Sequence, residues 1–290
     1  MKTFLTGLLL LGSLASGSAA TTINATNKFA YGANIGWMDW RGDTNSGAVI
    51  GEYVCSGYLW AANVGWIHLG SNAPANGIQY QNNSATDYGV NHDGVGNLRG
   101  FAWGANIGWI NFENLGAAKV DLVTGKLSGS IYSANCGWIS LSNTFAFVQA
   151  DRIQMGTDLD GDGIADAWER TYTNTLSSFT AISDTDGDGL SDKGEYLADT
   201  NPLDPNSRLR ITNYGVAGMG GSELDTLTWS SRPTRQYVIQ SRTDLNPAFV
   251  FTNATGLLTP EAGATTTRTA SFGGFVAQRY FRVQALKPLP

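Results

Sequence analysis

Tyr31-Gly-Ala-Asn34-Ile-Gly36-Trp37-Met-Asp-Trp40 spells YGANIGWMDW, and the chain spells it three more times. The later copies are WAANVGWIHL from Trp60, WGANIGWINF from Trp103 and YSANCGWISL from Tyr132. Each is an aromatic residue, two further residues, Asn, an apolar residue, Gly and Trp. The Asn-to-Asn intervals are 29, 43 and 29 residues, which groups the copies in pairs. Asn and Gly tolerate positive φ and stand where a short hairpin loop must reverse. The flanks alternate. Phe29 and Tyr31, Tyr58 and Trp60, Phe101 and Trp103, and Tyr132 precede the Asn at odd spacing; Met38 and Trp40, Ile67 and Leu69, Ile110 and Phe112, and Ile139 and Leu141 follow it at even spacing. Alternation with period two predicts a β-hairpin with one face in a core, here formed by these two sets. Asp39, His68, Asn111 and Ser140 are then expected to face water.

Trp37, Trp66, Trp109 and Trp138 share parity with those polar positions. Two readings follow. Either the indoles lie across small residues and cover bare backbone, which is the expected case, or they form an exposed aromatic row that binds a sugar or a protein. A further strand is expected before the later hairpins, with Lys119–Val123, Thr124-Gly125-Lys126 and Leu127 reading strand, turn, strand. Units of this kind in series suggest a small propeller, prism or solenoid-like array. Cys136 takes the slot of Ile35, Val64 and Ile107, and Cys55 the slot of Leu98 and Leu127. The pair is open to two readings, small buried hydrophobes or a Cys55–Cys136 disulfide.

Beyond the repeats, one spelling occurs twice: Asp158-Leu-Asp160-Gly-Asp162-Gly163-Ile164-Ala-Asp166-Ala-Trp-Glu169 and Asp184-Thr-Asp186-Gly-Asp188-Gly189-Leu190-Ser-Asp192-Lys-Gly-Glu195. Oxygen-bearing side chains fall at loop positions 1, 3, 5, 9 and 12, with Gly at 6, the spacing that wraps one chain around a hard cation. Two calcium ions are expected. The predicted ligands are Asp158, Asp160, Asp162, Asp166, Glu169 and the carbonyl of Ile164, then Asp184, Asp186, Asp188, Asp192, Glu195 and the carbonyl of Leu190. Asp166 and Asp192 are read as acting directly or through water, and Asp199 and Asp204 are further candidates. Thirteen acidic and three basic residues lie between Asp151 and Asn206, a net of −10 against −6 for the whole chain. The acidity thus belongs to this segment, where bound cations would neutralise it, and no basic face marks a nucleic-acid partner. Helices are expected from Ala167 through Leu176 and over Tyr196-Leu197-Ala198, the second stopped by Asn201-Pro202. With few core-forming residues, the segment is expected to depend on metal for its order.

The stretch DTDGDGLSDKGEYLADTNPLDPNS resembles the bacterial thrombospondin type 3 repeats, over residues 156 to 206. The resemblance implies calcium binding and a structural or adhesive role outside the cell. It departs from the tandem form by the insertion of Arg170 to Ala181. The Asn-x-Gly-Trp phrases are similar to AWxxNxGWI-type repeats of exported bacterial proteins, which imply no activity.

The remaining organisation is read as follows. Met1-Lys2, the apolar run Phe4–Leu14 and Ser18-Ala19-Ala20 read as a signal peptide, residues 1–20, cut after Ala20. Residues 21–150 form the β-repeat domain, 151–206 the calcium segment and 207–290 a β-sandwich. In the last, Leu224–Trp229, Gln236–Gln240, Phe249–Thr252 and Arg279–Ala285 read as strands, and about seven are expected in all. LTW, YVIQSRTDL and RYFRVQA in this stretch are similar to fibronectin type III-like modules. The fold class is therefore mainly β: a hairpin-repeat domain, a short helical calcium segment and a sandwich. No stretch of the mature chain is long and apolar enough to span a membrane as a helix.

Function follows less directly. No Gly-x-Ser-x-Gly, His-Glu-x-x-His or phosphate loop occurs. The leading reading is a secreted, non-catalytic calcium-binding adhesion or scaffold protein with an extracellular protein or glycan partner. A carbohydrate-binding protein using the repeat tryptophans is the alternative. A glycoside hydrolase is a third, needing only two of Asp39, Asp43, Glu52, Asp93 and Glu113. His68 and His92 are read as surface or turn residues. Arg41-Gly42-Asp43 is a three-letter match of the kind that arises by chance, and the sequons at Asn24, Asn82 and Asn253 matter only in a host with glycosylation machinery.

Overall fold

The computed structural model describes residues 21–42, 45–217, 224–246, 248–271 and 278–290. The expected signal peptide, residues 1–20, and Asp43 lie outside the described residues. The repeat region contains β1 (Ile23–Gly32), β2 (Gly36–Asp39), β3 (Val49–Ile50), β4 (Cys55–Ala61), β5 (Gly65–Ser71), β6 (Val90–His92) and β7 (Leu98–Gly104). It continues through β8 (Gly108–Asn111), β9 (Lys119–Val120), β10 (Leu127–Ser128), β11 (Ser130–Ser133), β12 (Gly137–Ser140) and β13 (Val148–Ala150). The four repeats are the hairpins β1–β2, β4–β5, β7–β8 and β11–β12. Neighbouring hairpins also pair, β2 with β4, β5 with β7 and β8 with β11. β1 pairs with β12, so the sheet closes on itself. The expected stacked array is corrected to a closed, antiparallel barrel of eight strands. Closure satisfies the edge that each hairpin would otherwise leave open.

Each hairpin turns through three residues. Gly32 pairs with Gly36, Ile35 donates its N–H to the Gly32 carbonyl at 3.2 Å, and Gly36 takes φ +75°. Gly65, Gly108 and Gly137 repeat that left-handed conformation, which only Gly adopts without strain. The Asn residues do not take positive φ; their role lies elsewhere, as shown below.

An eight-stranded barrel has an interior just wide enough for side chains to fill. Here Met38, Ile67, Ile110 and Ile139 fill it with Ala30, Leu59, Ala102 and Ile131, their cross-strand partners. Trp40, Leu69, Phe112 and Leu141 form the next layer. Bulk alternates around the axis: Ala30 and Ala102 accompany Trp40 and Phe112, whereas Leu59 and Ile131 accompany Leu69 and Leu141. The large residue of one copy thus occupies space that its own Ala releases, as dense packing requires. The alternation matches the pairing of the repeat intervals.

One expectation about facing is overturned. Phe29, Tyr31, Tyr58, Trp60, Phe101, Trp103 and Tyr132 do not enter the core. The register pairs Tyr31 with Trp37, Trp60 with Trp66, Trp103 with Trp109 and Tyr132 with Trp138, so these aromatics share the outer face of the loop tryptophans. The inward positions before Asn hold small or aliphatic residues instead. The shorter strands are as expected in part: β6 pairs with β7, and β9 and β10 form a two-stranded hairpin.

The calcium segment carries α1 (Asp166–Tyr172) and α2 (Asp192–Ala198). The first helix is shorter than expected; a separate 3-10 turn covers Leu176–Ser178. The second ends at Asp199, left-handed at φ 58°, ahead of Pro202. The segment is not without a core, as Ile164, Ala165, Trp168, Phe179 and Tyr196 are buried together. Phe179 comes from the insertion that departs from the tandem form.

The C-terminal region has β14 (Ile211–Ala217), β15 (Leu224–Ser230), β16 (Gln236–Arg242), β17 (Thr252–Asn253), β18 (Thr265–Ala270) and β19 (Tyr280–Leu286). They form two antiparallel sheets, β14-β15-β18 and β17-β16-β19, which enclose Leu227, Trp229, Tyr237, Ile239 and Ala285. The strand expected over Phe249–Thr252 shrinks to β17. No described helix is long and apolar enough to cross a membrane.

Candidate functional site

Each acidic loop brings its first three aspartates together. Carboxylate oxygens of Asp158, Asp160 and Asp162 lie within 4.8 Å of one another, and so do those of Asp184, Asp186 and Asp188. The first residue of each loop braces the turn. Asp158 accepts from the N–H groups of Gly161 (2.8 Å) and Gly163 (2.9 Å), and Asp184 from those of Gly187 and Gly189 (2.9 Å each). Gly163 and Gly189, at position 6, have φ +85° and +94°, where a Cβ would be strained.

Glu169 and Glu195 project from α1 and α2 and are fully buried. Neither oxygen of Glu169 has a partner, and Glu195 has one bond, from Thr200 Oγ1 at 3.1 Å, leaving Oε2 unpaired. Asp162, Asp186 and Asp188 each keep one buried unpaired oxygen as well. Burial, with the charges of Asp160 and Asp162, pushes the Glu169 carboxyl up to about 8. Burial, with Asp186 and Asp188, does the same to Glu195. Buried carboxylates without partners are costly, and a cation bound among them would remove that cost. The donors are all oxygens, which fits a hard ion of the calcium class. Asp158, Asp160, Asp162 and Glu169 would hold one ion, and Asp184, Asp186, Asp188 and Glu195 another.

The remaining predicted residues are placed as follows. Asp166 and Asp192 are buried at the starts of their helices and turned back into the loop. Asp166 accepts from the Leu159 N–H at 2.8 Å; Asp192 accepts from the Thr185 N–H at 2.9 Å and from Ser183 Oγ at 2.5 Å. Ile164 is buried in the segment's core and Leu190 packs on the C-terminal core. Asp199 accepts from Thr234 Oγ1, and Asp204 from the Asn206 N–H at 3.0 Å.

The loop tryptophans are the outer face of the barrel. Trp37, Trp66, Trp109 and Trp138 are 44–50% exposed, against the expectation that they would be covered. Each meets its cross-strand aromatic partner at 4.6–5.1 Å between ring centroids, with the ring planes tilted by 59–64°. The covering idea survives in part. Trp66 packs on the backbone of Gly42 and Trp138 on that of Gly116, where a Cβ would come within 2.9 and 3.1 Å of the indole.

Cys55 and Cys136 are both free and both buried, which is the buried-hydrophobe reading of the two left open and not the disulfide. Cys136 sits in the loop layer, whereas Cys55 starts β4, six residues from the loop, roughly 20 Å at ~3.3 Å per residue. A disulfide needs the two Cα atoms within about 7 Å. His92 is corrected too: it is buried, with Nδ1 2.9 Å from the Gly51 carbonyl. Four of the five carboxylates weighed for hydrolysis have structural partners. Asp39 pairs with Lys28 at 2.7 Å, Glu52 with Lys287 at 2.8 Å, Asp93 with Asn97, and Glu113 with the Gly100 N–H.

Two sets of residues were not anticipated from sequence. Glu52, Tyr196 and Lys287 join the three regions: Tyr196 donates to Glu52 at 2.7 Å, and the Lys287 ammonium lies 3.5 Å from the Tyr196 ring centroid. Arg235 donates to the carbonyls of Tyr196 and Leu197 at the end of α2, 2.7 Å each. The second set is Asn82, Asn83, Ser84 and Tyr88, beside Trp109. The long interval of 43 residues was the one signal for it. No curated protein and no solved structure matches the chain. Residues 158–175 and 184–205 do match a family model, that of the bacterial TSP3 repeat, a calcium-binding repeat, so the resemblance read from the Asp and Gly spacing holds for this segment of the chain.

Proposed function

We propose that the chain is an exported, non-catalytic structural or adhesion protein whose middle segment holds two calcium ions. The observation that carries this reading is the pair of buried glutamates, Glu169 and Glu195, with unpaired oxygens beside three clustered aspartates each. Bound calcium would supply the positive charge that these carboxylates lack. The chain's own residues then transmit the order outward. Lys193 of α2 donates to the Asp162 carbonyl of the first loop at 3.2 Å, tying the loops together. Arg208 donates to the Asp188 carbonyl at 2.8 Å, and Arg235 caps α2, tying the second loop to the sandwich. Tyr196 ties α2 to Glu52 of the barrel region. Metal binding would therefore set the relation of barrel to sandwich, a role suited to a protein that presents a binding head away from a surface.

The test is chelation followed by limited proteolysis. Cleavage is expected first within residues 156–206, and calcium should reverse it. Unchanged proteolysis and an unchanged melting temperature would defeat the reading. A second reading, a carbohydrate-binding protein, is favoured by the half-exposed Trp37, Trp66, Trp109 and Trp138. Quenching of tryptophan fluorescence by glycans tests it.

A further inference from the structure

The aromatic belt is not equal all the way round. Across the second and third repeats the rings form one continuous track. Trp60 meets Trp66 (4.8 Å between centroids), Trp66 meets Tyr58 (6.2 Å), Tyr58 meets His68 (4.8 Å) and His68 meets Tyr88 (5.6 Å). Tyr88 then meets Trp109 (5.0 Å), which meets Trp103 (4.6 Å) and Phe101 (6.2 Å). Tyr88 is the bridge. It comes from the long connection between the two repeats, and its hydroxyl bonds His68 Nδ1 at 2.8 Å. The fourth repeat, with Ser130 where the others have Phe29, Tyr58 and Phe101, has a shorter aromatic face.

At the Trp109 end the track opens into a recess of about 310 Å³, lined by Tyr88, Phe101, Trp109, Asn82, Asn83 and Ser84. The wall is built by the connection that is 14 residues longer than its counterparts. A long segment with so little regular structure is either disordered or functional, and this one is tied down. Tyr80 is buried and its hydroxyl accepts from the Asn72 N–H at 2.6 Å. Asp87 is buried and accepts from the N–H groups of Ala75 and Gln81, 3.1 Å each. Asn82 accepts from the Gly89 N–H at 3.0 Å. The wall is therefore set before any ligand arrives, which lowers the ordering cost of binding.

The chemistry of the lining selects the ligand. It has aromatic faces, two amides and two hydroxyls, and no charged side chain. Burial holds His68 below its ordinary pKa, so the track is neutral as well. Apolar faces with a few placed donors and acceptors suit a molecule with C–H faces and rim hydroxyls. A track that continues away from the recess suits a chain of such units. We propose that the second and third repeats bind a linear neutral polysaccharide, with one sugar unit seated against Trp109 between Tyr88 and Asn83. This rests on the carbohydrate reading above and narrows it to one site.

The experiment measures binding of cellohexaose, maltohexaose, mannohexaose, xylohexaose and chitohexaose to the full chain in calcium, by calorimetry and tryptophan fluorescence. The variants are Trp109→Ala, Tyr88→Ala, Trp37→Ala and Trp138→Ala, each checked for an unchanged melting temperature. At least one oligosaccharide is expected to bind. Trp109→Ala should weaken it about tenfold and Tyr88→Ala about three- to tenfold, as loss of one stacked ring implies, with Trp37→Ala and Trp138→Ala within about twofold. Equal losses at all four positions, or undiminished binding by Trp109→Ala, overturn the assigned site while leaving the carbohydrate reading in place. No binding of any oligosaccharide overturns both.

Discussion

The side-chain amide of Asn63 donates to the backbone carbonyl of Ile35, 28 residues earlier, at 3.1 Å. Asn106 makes the same bond to Val64 at 3.1 Å, and Asn135 to Ile107 at 3.0 Å. Asn34 donates to Cys136 at 3.0 Å. Each loop thus holds the one before it, and the first holds the last. The inter-hairpin ladders are short, two residue pairs at each seam. The amide ring closes the barrel at the end where the ladders stop, and it covers the apolar plug of Ile35, Val64, Ile107 and Cys136.

Replacing Asn63 with Ala removes one bond and leaves the Ile35 carbonyl without its donor. The expected cost is about 1 kcal/mol. Asn63→Asp should cost more, because a carboxylate facing a carbonyl repels it. Urea unfolding followed by tryptophan fluorescence measures both. Equal stability of wild type and Asn63→Asp would show that the ring does not hold the loops.

The glutamates set a pH dependence whose sign differs with and without metal. Glu169 and Glu195 sit near 8 in the folded chain, against an ordinary value of 4.5. A carboxyl raised on folding stabilises fully below its unfolded value and loses that contribution as pH rises through the folded one. Metal-free protein should therefore weaken between about pH 5 and 8, on the order of 1–3 kcal/mol for each group. Calcium requires both groups deprotonated, so the stabilisation it brings should grow over the same range, with proton release on binding. Melting curves at pH 5.5 and 8, in chelator and in calcium, check this. Glu169→Gln should make the chelated protein more stable at pH 8 and the calcium-loaded protein less stable. A chelated wild type as stable at pH 8 as at pH 5.5 would refute the account.

How far the sequence reveals this depends on what each residue must do locally. The acidic loops are readable because the constraint is local: twelve consecutive residues, carboxylates at fixed spacing, Gly at position 6. The hairpins are readable for the same reason. Their facing was not, because Ala30 and Ala102 carry little apolar signal while Tyr31 and Trp103 carry much, and the three-residue loop places the latter outside. Barrel closure depends on β1 meeting β12, more than a hundred residues apart, and no local pattern encodes it. The amide ring had a trace in the sequence: Asn stands in all four copies, although only Gly takes the left-handed turn. Glu52, Tyr196 and Lys287 come from three regions and meet only in the fold.

The two thiols give a direct check on the barrel layers. Burial pushes the Cys55 thiol up to about 12, leaving almost no thiolate at neutral pH. Native protein should resist iodoacetamide at pH 8 at this position. Denatured, unreduced protein should show two free thiols. Finding one disulfide and no free thiol would contradict the placement of Cys55 and Cys136 at opposite ends of the barrel.

Glu52 tests whether the three regions depend on one another. Its carboxylate faces Lys287, takes the Tyr196 hydroxyl and accepts from the Gly156 N–H at 3.3 Å. Burial lowers the pKa of Lys287, and Glu52 opposes that shift. Glu52→Gln keeps the shape but leaves the ammonium with no anion, at an expected cost of about 2–3 kcal/mol. The cost should come from the stranded cation. Glu52→Gln combined with Lys287→Met should therefore be more stable than Glu52→Gln alone, since Met fills the space over the Tyr196 ring without a charge. Urea unfolding of the wild type, both single variants and the double variant measures the coupling. Strictly additive losses would mean that Glu52 and Lys287 stabilise the junction independently and that the ion pair does not join the barrel to the sandwich.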